Sequence, residues 1–188
     1  MEDHFDFQSL RIQQPAKLLP DRASYEIFSD SRKLLAVATE TEGHTRLHLL
    51  RKTLPDTRVL AITTAAGEPL LTLIKHARER ITDFQDPDGE LVGRIRATHT
   101  TRHYTLLDED DQTVAKVVGD LPLKHFNVTD ADGAMVARVR KTWAGLTKET
   151  LTPSDHYRVE FAASVVHPAR TLTVMMPIVL DLTLYGPV

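Results

Sequence analysis

The chain repeats one unit five times, and this repeat limits its fold more than any other feature of the sequence. Each unit contains a short run of alternating apolar and polar residues, a polar turn, and a second alternating run. The runs are rich in β-branched and aromatic residues and are bounded by Asp, Gly and Pro, which is typical of β-strands. The units occupy residues 25–37, 59–74, 81–95, 103–118 and 125–139. The repeat therefore predicts five β-hairpins.

The turns between the paired runs support this prediction. Asp86-Pro87-Asp88-Gly89 and Asp130-Ala131-Asp132-Gly133 suit a type I turn followed by a left-handed glycine, which closes a hairpin with a bulge. Residues 157–161 form one further alternating run. Five hairpins give about ten strands, and so many short strands in a chain of 188 residues predict a mainly β domain built as a closed barrel or a sandwich.

A C-terminal apolar segment is predicted to fill this β structure. Alternation puts a small residue on the inward face of several second strands, which leaves room for a packed element; these residues are Ala36, Gly93, Ala115 and Ala137. Residues 169–185 are apolar but fall short of the ~20 clean apolar residues of a membrane-spanning helix. We therefore expect a central helix. Its residues in the core are predicted to be Leu172, Val174, Met175, Ile178, Val179, Leu180 and Asp181.

Two residues of the predicted helix need an explanation. Pro177 removes the hydrogen bond to Thr173 and costs ~3 kcal/mol in a helix interior. It predicts either a kink or a helix whose regular part begins near Pro177. Asp181 would be a buried carboxylate, so it needs a hydrogen-bond partner or a place near the mouth of the barrel.

Several motifs follow one another in a fixed order. The turn at residues 130–133 is followed by Lys141-Thr142-Trp143-Ala144-Gly145-Leu146, by Asp155-His156-Tyr157, and by Ile178-Val179-Leu180-Asp181. Near the start, Gln14-Pro15-Ala16-Lys17-Leu18-Leu19 precedes Tyr25-Glu26-Ile27-Phe28. This ordered set resembles bacterial proteins of the phospholipid scramblase and LURP-one-related family, over nearly the whole chain from about Leu10.

The resemblance implies a tubby-like fold, which is a closed antiparallel barrel of about twelve strands around a hydrophobic C-terminal helix. It implies that residues 14–19 and 25–28 belong to the first strands. The predicted organisation is an N-terminal tail over residues 1–9 and a single barrel domain over residues 10–188.

Composition and motifs argue against catalysis and against most cofactors. The chain has no cysteine, which excludes disulfides, thiolate metal sites and cysteine nucleophiles. It also lacks Gly-x-Ser-x-Gly, a glycine-rich phosphate loop, Ser-x-x-Lys and His-Glu-x-x-His. A predicted turn separates His99 from His103, so these two histidines do not form a metal motif. We expect no enzymatic activity, no cofactor and no metal.

Eukaryotic scramblases carry an acidic calcium segment before the C-terminal helix, so the resemblance raises the question of a calcium site in this chain. The matching stretch here is residues 155–160, which offers Asp155 and Glu160 but is interrupted by Arg158. Calcium takes six to eight oxygen ligands, and the charge of an arginine opposes a cation. The Asp-x-Asp-Gly turns lack the acidic first position of an EF-hand loop and are interpreted as hairpin turns.

The basic residues suggest a contact with lipid. We predict a lipid-headgroup patch formed by Arg94, Arg96, Lys116, Arg138, Arg140, Lys141 and Trp143. The basic residues are expected mostly on the outward faces of the second strands, and Trp143 in a loop between Lys141 and Lys148. Each basic residue near an anionic membrane contributes about 1 kcal/mol, and tryptophan favours the membrane interface. The alternative for the cations is a solvated barrel exterior, where charged strand edges prevent aggregation.

The predicted function is thus a non-enzymatic, scramblase-related barrel that binds anionic phospholipid membranes peripherally or scrambles phospholipids. The alternative is a soluble module that binds a protein or a small ligand and has no membrane role. A net charge of −3 and a pI near 6.3 argue against nucleic acid as a partner. The N-terminus shows no secretory signal, so we expect a cytoplasmic protein, peripheral at the inner membrane face, and favour a monomer.

Overall fold

The chain folds into a closed barrel of twelve antiparallel strands with one helix. A computed structural model describes residues 4–15, 23–41, 57–76, 79–98, 102–143, 155–162 and 164–184. The strands are β1 (Ser9–Gln13), β2 (Ser24–Ser29), β3 (Leu34–Glu40), β4 (Arg58–Thr64), β5 (Pro69–Lys75), β6 (Ile81–Gln85), β7 (Leu91–Ala97), β8 (His103–Leu107), β9 (Thr113–Gly119), β10 (His125–Thr129), β11 (Met135–Trp143) and β12 (Asp155–Phe161), and the helix is α1 (Ala169–Leu184). The predicted mainly β fold is confirmed.

Each strand pairs with its neighbours in sequence, and β1 pairs with β12 to close the barrel. Five tight hairpins therefore lie at one end of the barrel, here called the hairpin end, and the other connections lie at the opposite end, here called the loop end. The five hairpins join β2 to β3, β4 to β5, β6 to β7, β8 to β9, and β10 to β11. These are the five hairpins that the repeat predicts.

Every one of these hairpins has a register shift directly before its turn. The left-handed position is a glycine at Gly67, Gly89 and Gly133, and a non-glycine residue at Arg32 and Asp111. In three turns the first aspartate accepts two backbone N–H bonds from residues two and four further along, as Asp130 does from Asp132 and Ala134. The polar turns are thus built by local hydrogen bonds.

The first strand differs from the sequence prediction. β1 ends at Gln13, so Gln14 and Pro15 lie beyond it, and residues 16–19 fall outside the described residues. Periodicity missed β1 because Ser9–Gln13 contains only two buried apolar side chains, Leu10 and Ile12. Two such positions are too few to separate a strand from chance alternation.

Helix α1 occupies the interior of the barrel. Every residue from Arg170 to Leu182 is buried. The helix contacts different sides of the wall, because Leu172 lies against Gly93 of β7 while Asp181 binds Tyr25 of β2. A helix buried on all sides in this way can only lie inside the closed sheet. No helix in the described part of the chain is long and apolar enough to cross a membrane.

The helix begins at Ala169, so the expectation that its regular part starts near Pro177 is wrong. Pro177 is fully inside the helix and buried. The side-chain hydroxyl of Thr173 donates to the carbonyl oxygen of Ala169 at 2.7 Å, one turn before the proline. Burial of the apolar segment on all sides outweighs the single backbone hydrogen bond that the proline removes.

Gly93 lets the wall and the helix approach closely. A Cβ atom at this position would collide with the carbonyl oxygen of Leu107 and would lie 3.1 Å from Cδ1 of Leu172. The small inward residues Ala36, Ala115 and Ala137 are also buried. The small residues that alternation places on the inward face therefore lie where the barrel interior has little room.

The N-terminal segment packs on the start of the helix. Arg170 donates its Nε to the carbonyl oxygen of Phe5 at 2.8 Å and its Nη2 to that of Phe7 at 2.6 Å. Its guanidinium lies 4.1 Å from the ring centroid of Phe161, and Phe5 is itself buried. The hairpin end of the barrel is thus covered by residues that precede β1.

Candidate functional site

The predicted basic patch divides into two groups on the outer wall. In the first group, Arg94 of β7 contacts Asp83 at 3.2 Å and Asp111 at 2.6 Å, while Arg96 lies 4.0 Å from Asp111. Asp83 also bonds to the ring of His76 at 3.0 Å. The hydrogen bond to Asp111 is the main reason that the pKa of Arg94 lies above its usual value. These acids neutralise most of the positive charge that β7 presents.

The second group lies on β9 and β11, and nearby acids neutralise less of its positive charge. The side chain of Lys116 is exposed. Arg138 donates to the side-chain oxygen of Asn127 at 3.2 Å and contacts the sulfur of Met135 at 3.7 Å, both of which are neutral. Arg140 lies 3.4 Å from Glu160. This side of the barrel is therefore the more basic of the two.

The register continues the second group into a row of basic side chains across four neighbouring strands. His125 of β10 pairs with Arg140 of β11, Arg140 with Arg158 of β12, and Arg158 with Arg11 of β1. Directly paired residues on one face of an antiparallel sheet have Cβ atoms ~4.5–5.5 Å apart, and like charges at that distance are unfavourable. We call Arg140, Arg158 and Arg11 the arginine row.

Only a few acids offset the arginine row. Glu160 lies between two of its members, 3.4 Å from Arg140 and 3.3 Å from Arg158, and Asp30 lies 3.4 Å from Arg158. Arg11 is exposed and has no ion pair among the described residues. Three cations facing two acids leave a net positive surface on β11, β12 and β1.

Beside the row, Asp120 holds His125 in place. Its carboxylate bonds to Nδ1 of His125 at 2.8 Å and accepts the backbone N–H groups of Lys124 and His125 at 2.9 Å. The backbone N–H of His125 makes the largest contribution to lowering the pKa of Asp120 to about 2, and the side-chain bond to His125 adds to it. Asp120 is therefore ionised near neutral pH.

The remaining predicted patch residues lie elsewhere. Lys141 pairs with Tyr157, a residue on the inward register, and its ammonium nitrogen lies 5.7 Å from the centroid of the Tyr157 ring. Trp143 is the last residue of β11 and not part of a loop, and its side chain falls outside the described residues. Lys141 thus belongs to the loop end of the barrel interior.

The acidic segment considered for calcium is part of β12. Asp155 opens the strand, and its side chain lies outside the described residues. Glu160 is occupied by the two arginines of the row. No group of three or more His, Asp or Glu side chains placed to hold a metal occurs in the part of the chain that the structure describes.

A second polar site, inside the loop end, was missed by the sequence analysis. The inward faces of the strands are apolar along most of their length. At the loop end, four consecutive strands each place a polar or charged residue on this inward face: Tyr25, Glu40, Arg58 and Lys75. The signal was available, because these residues continue the alternation of buried positions such as Leu60 and Leu73.

Two of these residues form a closed ion pair. Arg58 donates Nε to Oε1 of Glu40 at 2.8 Å and Nη2 to Oε2 at 2.9 Å. Glu40 also accepts the backbone N–H of Ala23 at 2.9 Å. Burial lowers the pKa of Arg58, but the hydrogen bonds and charge of Glu40 outweigh burial and raise it above its usual value. The carboxylate of Glu40 thus compensates the charge of Arg58.

Asp181 meets the polar residues from the helix. Its carboxylate accepts a 2.6 Å hydrogen bond from the hydroxyl of Tyr25, and both residues are buried. Burial, and then the charge of Asp181, raise the pKa of Tyr25 above its usual value, so the hydroxyl remains a donor. Asp181 therefore has both the partner and the place near the mouth that a buried carboxylate needs.

A cavity of about 240 Å³ opens beside this polar cluster, between α1 and the loop-end parts of β5, β6 and β7. Its wall is lined by Ile81, Ile95, Ala97 and Val179, and its polar lining is Lys75, Glu79, Arg80, Thr82, Thr98 and Thr183. No sequence pattern predicts this cavity, because its shape depends on how far the helix lies from three separate strands.

Comparisons with known proteins agree with this architecture. A family model described as Scramblase matches residues 24–186. An X-ray structure of a protein from Arabidopsis thaliana superposes with a TM-score of 0.55 at 14% identity, covering 92% of this chain and 90% of that one. A domain from Vibrio parahaemolyticus has the same coverage at 6% identity, but its TM-score of 0.25 supports no argument. The search of curated proteins gives no match.

Proposed function

Because the chain belongs to the Scramblase family, we propose that it is a non-enzymatic barrel that binds anionic phospholipid surfaces through the outer wall of β9, β11, β12 and β1. The observation that carries this proposal is the arginine row, in which three like-charged side chains occupy directly paired positions. Such an arrangement is unfavourable by itself and becomes favourable when an anionic surface supplies the missing counter-charge.

The arrangement of the row suits a lipid surface better than a buried ligand. The three arginines are partly or fully exposed and lie on the outside of a convex wall, with Arg138 also on β11 and Lys116 two strands away on β9. Phosphate groups accept two parallel hydrogen bonds from one guanidinium, which makes arginine well suited to headgroups. Each cation near the membrane contributes about 1 kcal/mol, so five give a usable affinity without an inserted segment.

We propose binding without transfer of lipid between leaflets. The helix fills the interior from Arg170 to Leu182, and the closed wall offers lipid no path through it. Scrambling by this chain would require α1 to leave the barrel. That step would expose both the helix and the inner wall, at ~25 cal/mol per Å² of apolar surface.

Vesicle flotation tests the proposal. The wild-type protein should float with phosphatidylserine-containing vesicles and not with phosphatidylcholine vesicles, and binding should fall at high salt. The triple variant Arg11→Gln/Arg140→Gln/Arg158→Gln removes three positive charges and should weaken binding by roughly 100-fold, which corresponds to about 3 kcal/mol.

A matched control separates the row from net charge. The variant Thr39→Glu/Thr63→Glu/Thr72→Glu changes the net charge by the same amount on β3, β4 and β5, which β2 separates from the row. It should retain most of the binding. Equal loss in both variants, or no flotation of the wild type with any vesicle, contradicts the proposal. A proteoliposome assay that shows lipid transfer would contradict its second part.

A further inference from the structure

The cavity at the loop end combines an apolar wall with two cations, Lys75 and Arg80, of which Arg80 already donates to a backbone carbonyl oxygen at 2.6 Å. Ile81, Ile95, Ala97 and Val179 provide the wall. Lys75 stands at its edge on the inward register of β5, following Leu71 and Leu73, and is half-buried. A concave apolar site with a few convergent polar groups is the usual form of a small-molecule site.

Lys75 lacks the counter-ion that its neighbours have. Among the described residues no carboxylate lies within ion-pair distance of its ammonium group, although Glu79 lines the same cavity. Its cross-strand neighbour is Arg58, whose carboxylate partner is Glu40. Burial, and then the charge of Arg58, lower the pKa of Lys75. The protein therefore keeps a half-buried cation next to a second cation with nothing in the described structure to offset it.

We propose that this cavity binds a short-chain monocarboxylate, with the carboxylate on Lys75 and the alkyl chain against Ile95 and Val179. An anion at Lys75 would supply the missing charge, and Thr82, which pairs with Lys75 across β5 and β6, lines the same cavity. The cavity falls below the ~300–1,000 Å³ range of drug-sized ligand sites, which excludes a phospholipid and favours a small amphiphile.

This site is independent of the proposed membrane function. It lies inside the loop end, whereas the arginine row lies on the outer wall. The two can therefore be tested in the same protein. The lysine variant described below should float with anionic vesicles as the wild type does, and the triple arginine variant should still bind the carboxylate.

Hexanoate is the probe, and the full chain is titrated by calorimetry and by thermal unfolding. The wild type should bind hexanoate saturably and gain melting temperature with hexanoate concentration. Acetate, which carries the charge without the chain, and hexylammonium, which carries the chain with the opposite charge, should both fail to stabilise it. No saturable hexanoate binding, or an equal effect of hexylammonium, overturns the proposal.

The variant Lys75→Met separates binding from folding. Methionine keeps the length of the side chain and removes the uncompensated charge, so the free variant should melt at a higher temperature than the wild type. Its hexanoate affinity should fall by roughly tenfold or more, as expected for loss of a charge-assisted contact. An unchanged hexanoate response in this variant overturns the proposal.

Two further variants complete the test. Lys116→Met removes an exposed cation from the outer wall and should leave the hexanoate response unchanged. Ala97→Leu adds bulk to the cavity wall, keeps Lys75, and should reduce binding. Full binding in Ala97→Leu would show that hexanoate binds elsewhere and would overturn the assignment of the cavity.

Discussion

At the scale of single residues, the barrel interior is apolar at its centre and polar at one end. Asp181 is the only carboxylate of α1, and it meets Tyr25 at the loop end instead of facing solvent. The short hydrogen bond and the raised pKa of Tyr25 both follow from burial of this pair. The position of the helix along the barrel axis is therefore fixed by a polar contact as well as by packing.

The variant Tyr25→Phe tests this role. Phenylalanine fills the same space but removes the donor, so the carboxylate of Asp181 loses a 2.6 Å hydrogen bond in a buried place. We expect a loss of about 1–3 kcal/mol in the free energy of unfolding, measured by urea denaturation. Asp181→Asn should cost less, because the amide oxygen can still accept from Tyr25. The reverse order would contradict the role assigned to the hydroxyl.

At the scale of elements, α1 is the core of the molecule and the closed wall of strands surrounds it. The helix has no exposed face between Arg170 and Leu182, and only Thr183 in its last turn is exposed. Its stability therefore comes from packing against the wall and not from the solvent or from membrane lipid. This is also why a proline is tolerated within it.

Paired alanine variants of α1 test where the helix lies. Leu180→Ala removes a fully buried side chain and should lower the free energy of unfolding by about 2–5 kcal/mol. Thr183→Ala, one turn away and exposed, should change it by no more than about 0.5 kcal/mol. Equal, small effects of both variants in detergent-free buffer would contradict a helix inside the barrel.

The sequence could predict the elements because their signals are local. Turn residues such as Asp130 and Gly133 act within four positions, and alternation within a strand separates Ala137 from Arg138. The arginine row and the contact between Asp181 and Tyr25 could not be predicted in this way. They depend on the register between β11, β12 and β1 and between α1 and β2, which joins residues such as Arg158 and Arg11 that lie far apart in sequence.

At the scale of the whole molecule, the two candidate sites lie on different surfaces of one barrel. The first and last strands and the segment before β1 hold this barrel together. β1 and β12 form the closing pair, and the segment before β1 is fastened to the first turn of α1 by Arg170. The residues from Phe5 to Phe7 therefore act as a cover over the hairpin end.

The variant Arg170→Met tests that cover. It removes the donors to the carbonyl oxygens of Phe5 and Phe7 and the contact with the Phe161 ring. We expect a loss of about 1–3 kcal/mol in the free energy of unfolding. Phe5→Ala should lower the free energy of unfolding less in the Arg170→Met variant than in the wild type, because Phe5 and Arg170 contribute to the same contact. Strictly additive losses would contradict a shared role, and Arg32→Met on an exposed turn serves as the neutral control.

The pairing of β1 with β12 has a consequence for biosynthesis. Eleven strands leave the ribosome before the strand that joins them into a ring, and the helix that occupies the centre emerges later still. Until then the nascent sheet has two unpaired edges and an exposed apolar face. Both features promote misassembly and chaperone binding. The barrel can therefore close only after β12 has been made, and its centre is filled only when α1 follows.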